Sequence, residues 1–266
     1  MSVLVVIPAR YASTRYPGKP LAMLTGASGE ARSLVERTWQ AAGAIDGVAR
    51  VVVATEDARI RDACEAFGAE VVMTSDACRN GTERCAEAMA ALGERFEIVV
   101  NLQGDAPLTP PWFVEDLIAG LRRDDTAGMA TPVLACDGRS HRSFLEDRAA
   151  GRVGGTTAVF GHDRRALYFS KEVIPYTGQT YDDDARTPVY HHVGVYAYRP
   201  EALRAYPGWP IGPLEGLEGL EQLRFLENGE KVLCVEVEAR GRQFWELNNP
   251  QDVPRIEAMM REMNLP

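Results

Sequence analysis

Long apolar runs are missing from this 266-residue chain. Nothing approaches the ~20 residues that a membrane span needs, and the first apolar stretch, residues 3–7, is strand-length and stops at Pro8. No charged leader with an apolar core opens the sequence, so a cytoplasmic protein with no membrane partner is expected. A basic excess is missing too. The formal net charge is −9, with acidic side chains spread along the sequence rather than in one block. Broad nucleic-acid binding, which needs a basic face, is therefore not expected, although a local basic pocket for a nucleotide is compatible with that balance. Cysteines are few and odd in number: Cys64, Cys78, Cys85, Cys136 and Cys234. No two form a CxxC pair, so neither a disulfide framework nor a structural zinc site is predicted, and the thiols read as buried or idle. Repeats, low-complexity tracts and clear linkers are also absent, which favours one domain with an inserted subregion.

What is present begins at residues 3–20, VLVVIPARYASTRYPGKP. A run of β-branched and aliphatic residues reads as a central parallel strand buried on both faces. It breaks at Pro8 into a loop carrying Arg10, Arg15 and Lys19, with Ser13, Thr14 and Gly18 between them. A buried strand ending in cations, hydroxyls and glycine is how open α/β sheets build anion sites, since their ligands sit at the carboxyl ends of the strands. A polyphosphate site is the working expectation. Neither GxxxxGK[ST] nor GxGxxG follows the strand, so it is neither a Walker A loop nor the dinucleotide fold of an oxidoreductase.

Further on, strands are predicted at 50–55 (RVVVAT), 70–73 and 98–102 (IVVNL), alternating with helices at 30–44, 56–67 and 80–92. These spacings predict right-handed βαβ crossovers and a parallel sheet. The second half is less regular. Strands are expected at 128–134, 156–160, 166–170, 191–198 and 231–237, and helices at 200–206, 214–227 and 250–263. Residues 135–152 read as a loop with a short helix. The polar, turn-rich stretch 175–188, with Asp182, Asp183 and Asp184, reads as a solvated loop or as a segment meeting a second subunit.

Two other motifs carry chemistry. In NLQGDAP (101–107) an apolar strand delivers Gln103 and Asp105 to its carboxyl end, and Gly104 lets the backbone turn. One aspartate there suits Mg²⁺ held against a nucleoside triphosphate, because Mg²⁺ commonly uses one or two carboxylates plus phosphates and water. A turn aspartate bonding its own backbone is the other reading. NGTER (80–84) opens a helix, where Asn80 or Thr82 serves as an N-cap or the backbone amides meet a phosphate or base.

Together these motifs resemble the sugar-acid cytidylyltransferases, most closely the 3-deoxy-manno-octulosonate (Kdo) cytidylyltransferases, or CMP-Kdo synthetases. The resembling segments are IPARYASTRYPGKPL (7–21), VVMT (71–74), NGTER (80–84), NLQGDAP (101–107), ALYFSKEVIPY (166–176), HHVGVYAYRP (191–200) and LEGLEQLRFLENG (217–229). The resemblance implies a single α/β domain with a mostly parallel twisted sheet flanked by helices, the Rossmann-like nucleotide-diphospho-sugar-transferase fold, with an inserted β subregion. It implies a CTP-binding half at about 1–135 and a sugar-binding and dimerisation half at about 136–245. A metal-site turn and C-terminal helix follow at 246–266, and the protein is expected as a homodimer.

The implied reaction is Mg²⁺-dependent transfer of CMP from CTP to Kdo or a close ulosonic acid, with release of pyrophosphate, feeding lipopolysaccharide or capsule synthesis. On this basis Ala9, Arg10, Arg15, Lys19, Thr74, Gly81, Thr82 and Arg84 are expected on CTP, with Arg10, Lys19 and Asp105 catalytic. Gln103, Lys171, His192, Tyr196, Glu221 and Gln222 are expected on the sugar acid, and Asp105 and Asn248 on Mg²⁺. Four positions depart from the family pattern. Asn248 stands where a second aspartate ligand is usual, so the metal is expected to be held more weakly. Ala106 replaces a carboxylate, Lys171 stands where arginine is common, and Thr157 lies near a frequent lysine. The last two sit in the sugar half, and segment 210–224 also resembles the branch that activates 8-amino-Kdo. A weakly active nucleotide-binding homologue with a regulatory role is the reading of a different class.

Overall fold

The computed structural model describes residues 2–13, 15–153, 155–242, 247 and 249–266. Its contacts divide the chain into two compact units, Met1–Glu115 with Ala239–Pro266, and Asp116–Glu238. The first unit starts with strand β1 (Val3–Pro8), whose first five side chains are wholly buried, as a strand covered on both faces requires. A short hairpin of β2 (Met23–Thr25) and β3 (Ala31–Ser33) follows, then helix α1 (Leu34–Gly43), strand β4 (Arg50–Thr55), helix α2 (Ala58–Ala66), strand β5 (Glu70–Met73), helix α3 (Gly81–Leu92) and strand β6 (Ile98–Leu102).

The four long strands of this unit run parallel in the order β5-β4-β1-β6. The chain thus builds outward from β1 on one side and then returns to place β6 on the other. That reversal makes the β1/β6 boundary a topological switch point, where the crevice at the carboxyl ends takes ligands. Side-chain caps set the helix starts: Ser33 accepts from Glu36 N, Asp57 from Arg59 N and Asn80 from Glu83 N. Each satisfies a backbone donor that the first helical turn leaves orphaned.

Helix α4 (Pro111–Arg123) leads into the second unit, which contains strand β7 (Met129–Asp137), helix α5 (Gly138–Ala149), strands β8 (Thr156–Phe160), β9 (Ala166–Ser170), β10 (Arg186–His192) and β11 (Val195–Tyr198), helices α6 (Pro200–Ala205), α7 (Pro213–Glu218) and α8 (Leu223–Glu227), and strand β12 (Val232–Glu236). Here pairing is mostly antiparallel, in the order β11-β7-β10-β8-β9, with β12 added parallel to β7. The chain then returns to the first unit in helix α9 (Val253–Glu262). Ile256, Met259 and Met260 of α9 share a buried cluster with Leu24, Leu34, Leu108 and Leu247. The α/β fold with an inserted β subregion is as expected.

Four local expectations change. The helix expected at 30–44 starts at Leu34, because Ser33 caps it and residues 31–33 pair with β2 instead. Residues 135–152 are mostly regular: β7 extends to Asp137, whose side chain accepts from Ser140 N at 2.7 Å and starts α5. The strand expected at 191–198 is two strands, both paired with β7, with Val193 N donating to Pro132 O between them. The helix expected at 214–227 breaks at Gly219, which takes a left-handed φ of 62°. All five cysteines are free thiols. Burial pushes Cys64, Cys136 and Cys234 up to about 12, which makes them inert at neutral pH.

The broken helix is held by charge. Glu227 accepts from Leu214 N and Glu215 N at 2.8 and 2.9 Å, capping α7 from α8. Arg224, fully buried, donates through Nε and Nη2 to Glu215 at 2.6 Å each, and its guanidinium lies 4.2 Å from the Tyr206 ring centroid. Removing one partner of such a buried pair strands the other charge at a cost of about 3–5 kcal/mol. Glu215→Gln is therefore expected to lower unfolding free energy by that order, read from the urea midpoint at constant slope.

Candidate active site

The parallel sheet of the first unit brings its predicted site residues to one edge. Ala9–Lys19 follow β1, Glu56 follows β4, Thr74 follows β5, and Gln103–Asp105 follow β6. Lys19 and Asp105 come from the two sides of the switch point and meet, Nζ donating to Oδ2 at 2.6 Å with both side chains partly buried. Gly104 allows the approach of these two loops: a Cβ there would lie 2.8 Å from the Pro8 carbonyl oxygen. The start of α3 closes on the same edge. A Cβ at Gly81 would meet Gln103 Nε2 at 2.8 Å, so the NGTER helix entry and the QGD turn are in contact.

Arg84 is almost wholly buried and satisfied internally. Its Nη1 donates to Thr74 Oγ1 at 2.5 Å, and its Nη2 lies 2.9 Å from Glu56 Oε2. Thr82 is buried as well, whereas Arg10 and Arg15 are exposed. The expected CTP group thus includes two exposed arginines, a lysine bonded to the strand-tip aspartate, and a buried Arg84–Thr74 brace.

Asp105 is a fit for Mg²⁺ by donor chemistry. Among the described residues no group of three or more His, Cys, Asp or Glu side chains gathers as a cage. A single part-exposed carboxylate beside phosphate-binding cations matches a hard ion that brings substrate oxygens and water with it. Asp105 O also accepts from Leu247 N at 3.0 Å, which ties the returning chain to this turn. The other expected ligand, Asn248, lies outside the described residues.

Within the second unit, Lys171 directly follows β9, His192 ends β10, Tyr196 lies on β11, and Glu221 and Gln222 directly precede α8. Tyr196 OH donates to Gln222 Oε1 at 3.2 Å. The Gln222 amide nitrogen is buried, and among the described residues nothing accepts from it. An orphaned buried donor of this kind calls for a ligand acceptor or water. Lys171 N donates to Glu218 Oε2 at 2.9 Å, while Ser170 Oγ donates to Glu218 Oε1 at 2.6 Å. Thr157, at one of the departures, is buried and donates to Glu172 O at 2.6 Å. Gln103, also expected on the sugar acid, lies in the first unit.

His192 is 5 % exposed, flanked by the rings of Phe169 and Tyr196. Thr131 Oγ1 donates to Val195 O at 2.9 Å, so its lone pair accepts from His192 Nε2, also at 2.9 Å. Desolvation, with a smaller contribution from neighbouring His191, pushes His192 down to about 3. The ring is neutral at pH 7 and acts as a hydrogen-bonding wall, not as a cation.

Sequence reading missed Glu56, Thr131 and Glu218. Glu56 was legible by the same rule that singled out Asp105, a carboxylate just past a buried strand. Thr131 and Glu218 carry no local signal, because their partners lie far along the chain.

A parallel sheet with cations and one carboxylate across its switch point defines an α/β nucleotidyltransferase. More particularly, the chain belongs to the cytidylyltransferase family, whose model matches residues 4–232. It is 46 % identical over 260 residues to a 3-deoxy-manno-octulosonate cytidylyltransferase of Maricaulis maris, covering 98 % of this chain and 97 % of that one. It is 38 % identical over 262 residues to an 8-amino-3,8-dideoxy-manno-octulosonate cytidylyltransferase of Shewanella piezotolerans, covering 98 % and 99 %. Among solved structures it resembles a CMP:2-keto-3-deoxy-manno-octonic acid synthetase complexed with CTP, at 33 % identity and a TM-score of 0.83, covering 99 % and 100 %. No helix among the described residues is long and apolar enough to cross a membrane.

The His192 environment makes a testable statement. An unfolded histidine titrates near 6.5, so between about 3 and 6.5 the unfolded chain binds a proton that the folded chain refuses. This contribution to stability is complete above pH 6.5 and is lost as pH falls toward 3. His192→Gln, which keeps a donor for Thr131, is expected to lose less unfolding free energy between pH 7 and pH 5 than the wild type does. The His192 ring resonances should not titrate over pH 5–8 by NMR.

Proposed function

We propose that the protein transfers CMP from CTP to the anomeric hydroxyl of 3-deoxy-manno-octulosonate or a close ulosonic acid and releases pyrophosphate. The observation that carries this reading is the meeting of Lys19 and Asp105 across the switch point, in a chain of this family. The acceptor oxygen forms a bond to the α-phosphorus as the bond to pyrophosphate breaks, a step governed by positioning and charge neutralisation. Lys19 and Arg10 bind the triphosphate and stabilise the charge that builds on the departing pyrophosphate. Ala9, Arg15, Thr74, Gly81 and Thr82 line the nucleotide, and Arg84 braces that wall. Asp105, with Asn248, would hold Mg²⁺, which supplies charge at the α-phosphate when bound.

On the acceptor side, the orphaned Gln222 Nε2 donates to a sugar oxygen and Tyr196 fixes that amide. Glu221 and Gln103 bind hydroxyls. Because His192 is neutral, the cation for the sugar carboxylate is Lys171. Its single ammonium, unlike an arginine fork, sets a weaker directional preference. The kinship with an 8-amino-Kdo enzyme supports that sugar as a second acceptor. We further assign the protein to the cytoplasm as a homodimer serving lipopolysaccharide or capsule synthesis. The exposed Tyr176, in the loop before β10, supports a subunit contact there.

Pyrophosphate release from CTP, Mg²⁺ and a panel of ulosonic acids tests the reading. Release with Kdo or 8-amino-Kdo is expected. CTP binding without release on any acceptor would favour the regulatory homologue instead. Asp105→Ala is expected to lower kcat by about 10²–10³-fold, as for loss of one preorganised electrostatic partner. Asn248→Asp adds a charged ligand and should lower the Mg²⁺ concentration for half-maximal rate; an unchanged requirement would remove Asn248 from the metal.

A further inference from the structure

Glu56 has no role in the reaction just proposed, yet its carboxylate connects the two halves of the nucleotide site. Oε1 accepts from Tyr11 N at 3.0 Å, and Oε2 lies 2.9 Å from Arg84 Nη2. Tyr11 is the pivot of the cation loop. Its carbonyl accepts from Gly18 N at 2.9 Å, and Gly18, in the left-handed region at φ 71°, begins the turn that carries Lys19. The Tyr11 ring lies against Gly18 on one contact and under the Arg59 guanidinium, 3.3 Å from the centroid, on another. On its other branch Glu56 reaches Arg84, which bonds Thr74 and stands two residues after Thr82.

Resting on the CTP reading above, we infer that Glu56 is a positioning residue for the nucleotide. One carboxylate clamps the Lys19 loop and the α3 entry at a fixed separation, and so matches the triphosphate-binding end to the end formed by Thr74, Thr82 and Arg84. The charge belongs to this role. A carboxylate holds both a backbone donor and a buried guanidinium, whereas a neutral amide keeps an acceptor for Tyr11 but leaves Arg84 uncompensated. Loss of the clamp lets the two ends move independently, so the cost falls on nucleotide affinity and on the coupling between Glu56 and Lys19. A residue that merely supports folding would lower stability and leave affinity and coupling unchanged.

The test is calorimetric titration of the full chain with CTP and Mg²⁺, without sugar, for wild type, Glu56→Gln, Glu56→Ala, Lys19→Met and the Glu56→Ala/Lys19→Met double variant. Both Glu56 variants are expected to raise the Kd for CTP about tenfold or more at unchanged stoichiometry, the scale of a lost charge-assisted bond. Lys19→Met should weaken binding much less in the Glu56→Ala background than in the wild type, a non-additivity that independent sites do not show. If Glu56→Ala fails to fold, the near-isosteric Glu56→Gln carries the same cycle. A Kd within twofold of wild type, or an additive cycle, overturns the inference while leaving the CTP reading intact. A wild type that binds no CTP overturns both.

Discussion

The ion pair between Lys19 and Asp105 is where the topology of the first unit becomes chemistry. It forms because a parallel sheet that reverses its winding direction puts the ends of β1 and β6 side by side, and because Gly104 leaves the Pro8 carbonyl room to approach. Opposite charges at 2.6 Å, partly shielded from water, attract more strongly than the same pair on an open surface. The pair also keeps the carboxylate compensated until substrate arrives. Around it, Arg10 and Arg15 are exposed, while buried Arg84 is held by Glu56 and Thr74. The arginines of this edge are thus sorted by burial, two exposed and one buried in a brace.

The second unit solves a different problem. Its residues proposed for the acceptor combine a neutral His192 with the dipoles of Tyr196 and Gln222, and Lys171 is the cation proposed for a carboxylate. On the proposed reading, such a set would meet an acid sugar through hydrogen bonds whose partners are fixed beforehand. Thr131 sets the His192 tautomer, and Tyr196 sets the Gln222 amide. Glu218 pins the backbone at Lys171. On that reading selectivity among ulosonic acids would depend on which substituent satisfies Gln222 Nε2, because an acceptor lacking that oxygen leaves a buried donor unpaired.

Much of this was legible in the sequence. β1, β4, β5 and β6 announce themselves as continuous apolar runs, and the chemistry lies one to three residues past each, as at Asp105 and Thr74. Helix ends were legible where a capping residue stood in view, as at Asn80. The misread boundaries lay where a local pattern competed with a distant partner. Residues 31–33 look helical until β2 is there to pair with them, and 191–198 looks like one strand until β7 takes its two halves separately. The 214–227 segment has helical composition throughout, and only the left-handed Gly219 divides it. Contacts between residues far apart in sequence, such as Thr131 with His192 at a separation of 61, leave no mark on either neighbourhood.

The return of the chain in α9 has a consequence for synthesis on the ribosome. Residues 1–115 supply the parallel sheet, but Ile256, Met259 and Met260 complete their apolar cluster, and Leu247 bonds the backbone at Asp105. A nascent chain therefore makes the sheet of its first unit early and leaves that cluster incomplete while more than a hundred further residues emerge. The second unit, continuous in sequence, can close during that interval. Assembly order is thus the reverse of reading order: the unit begun first is sealed only after α9 has emerged.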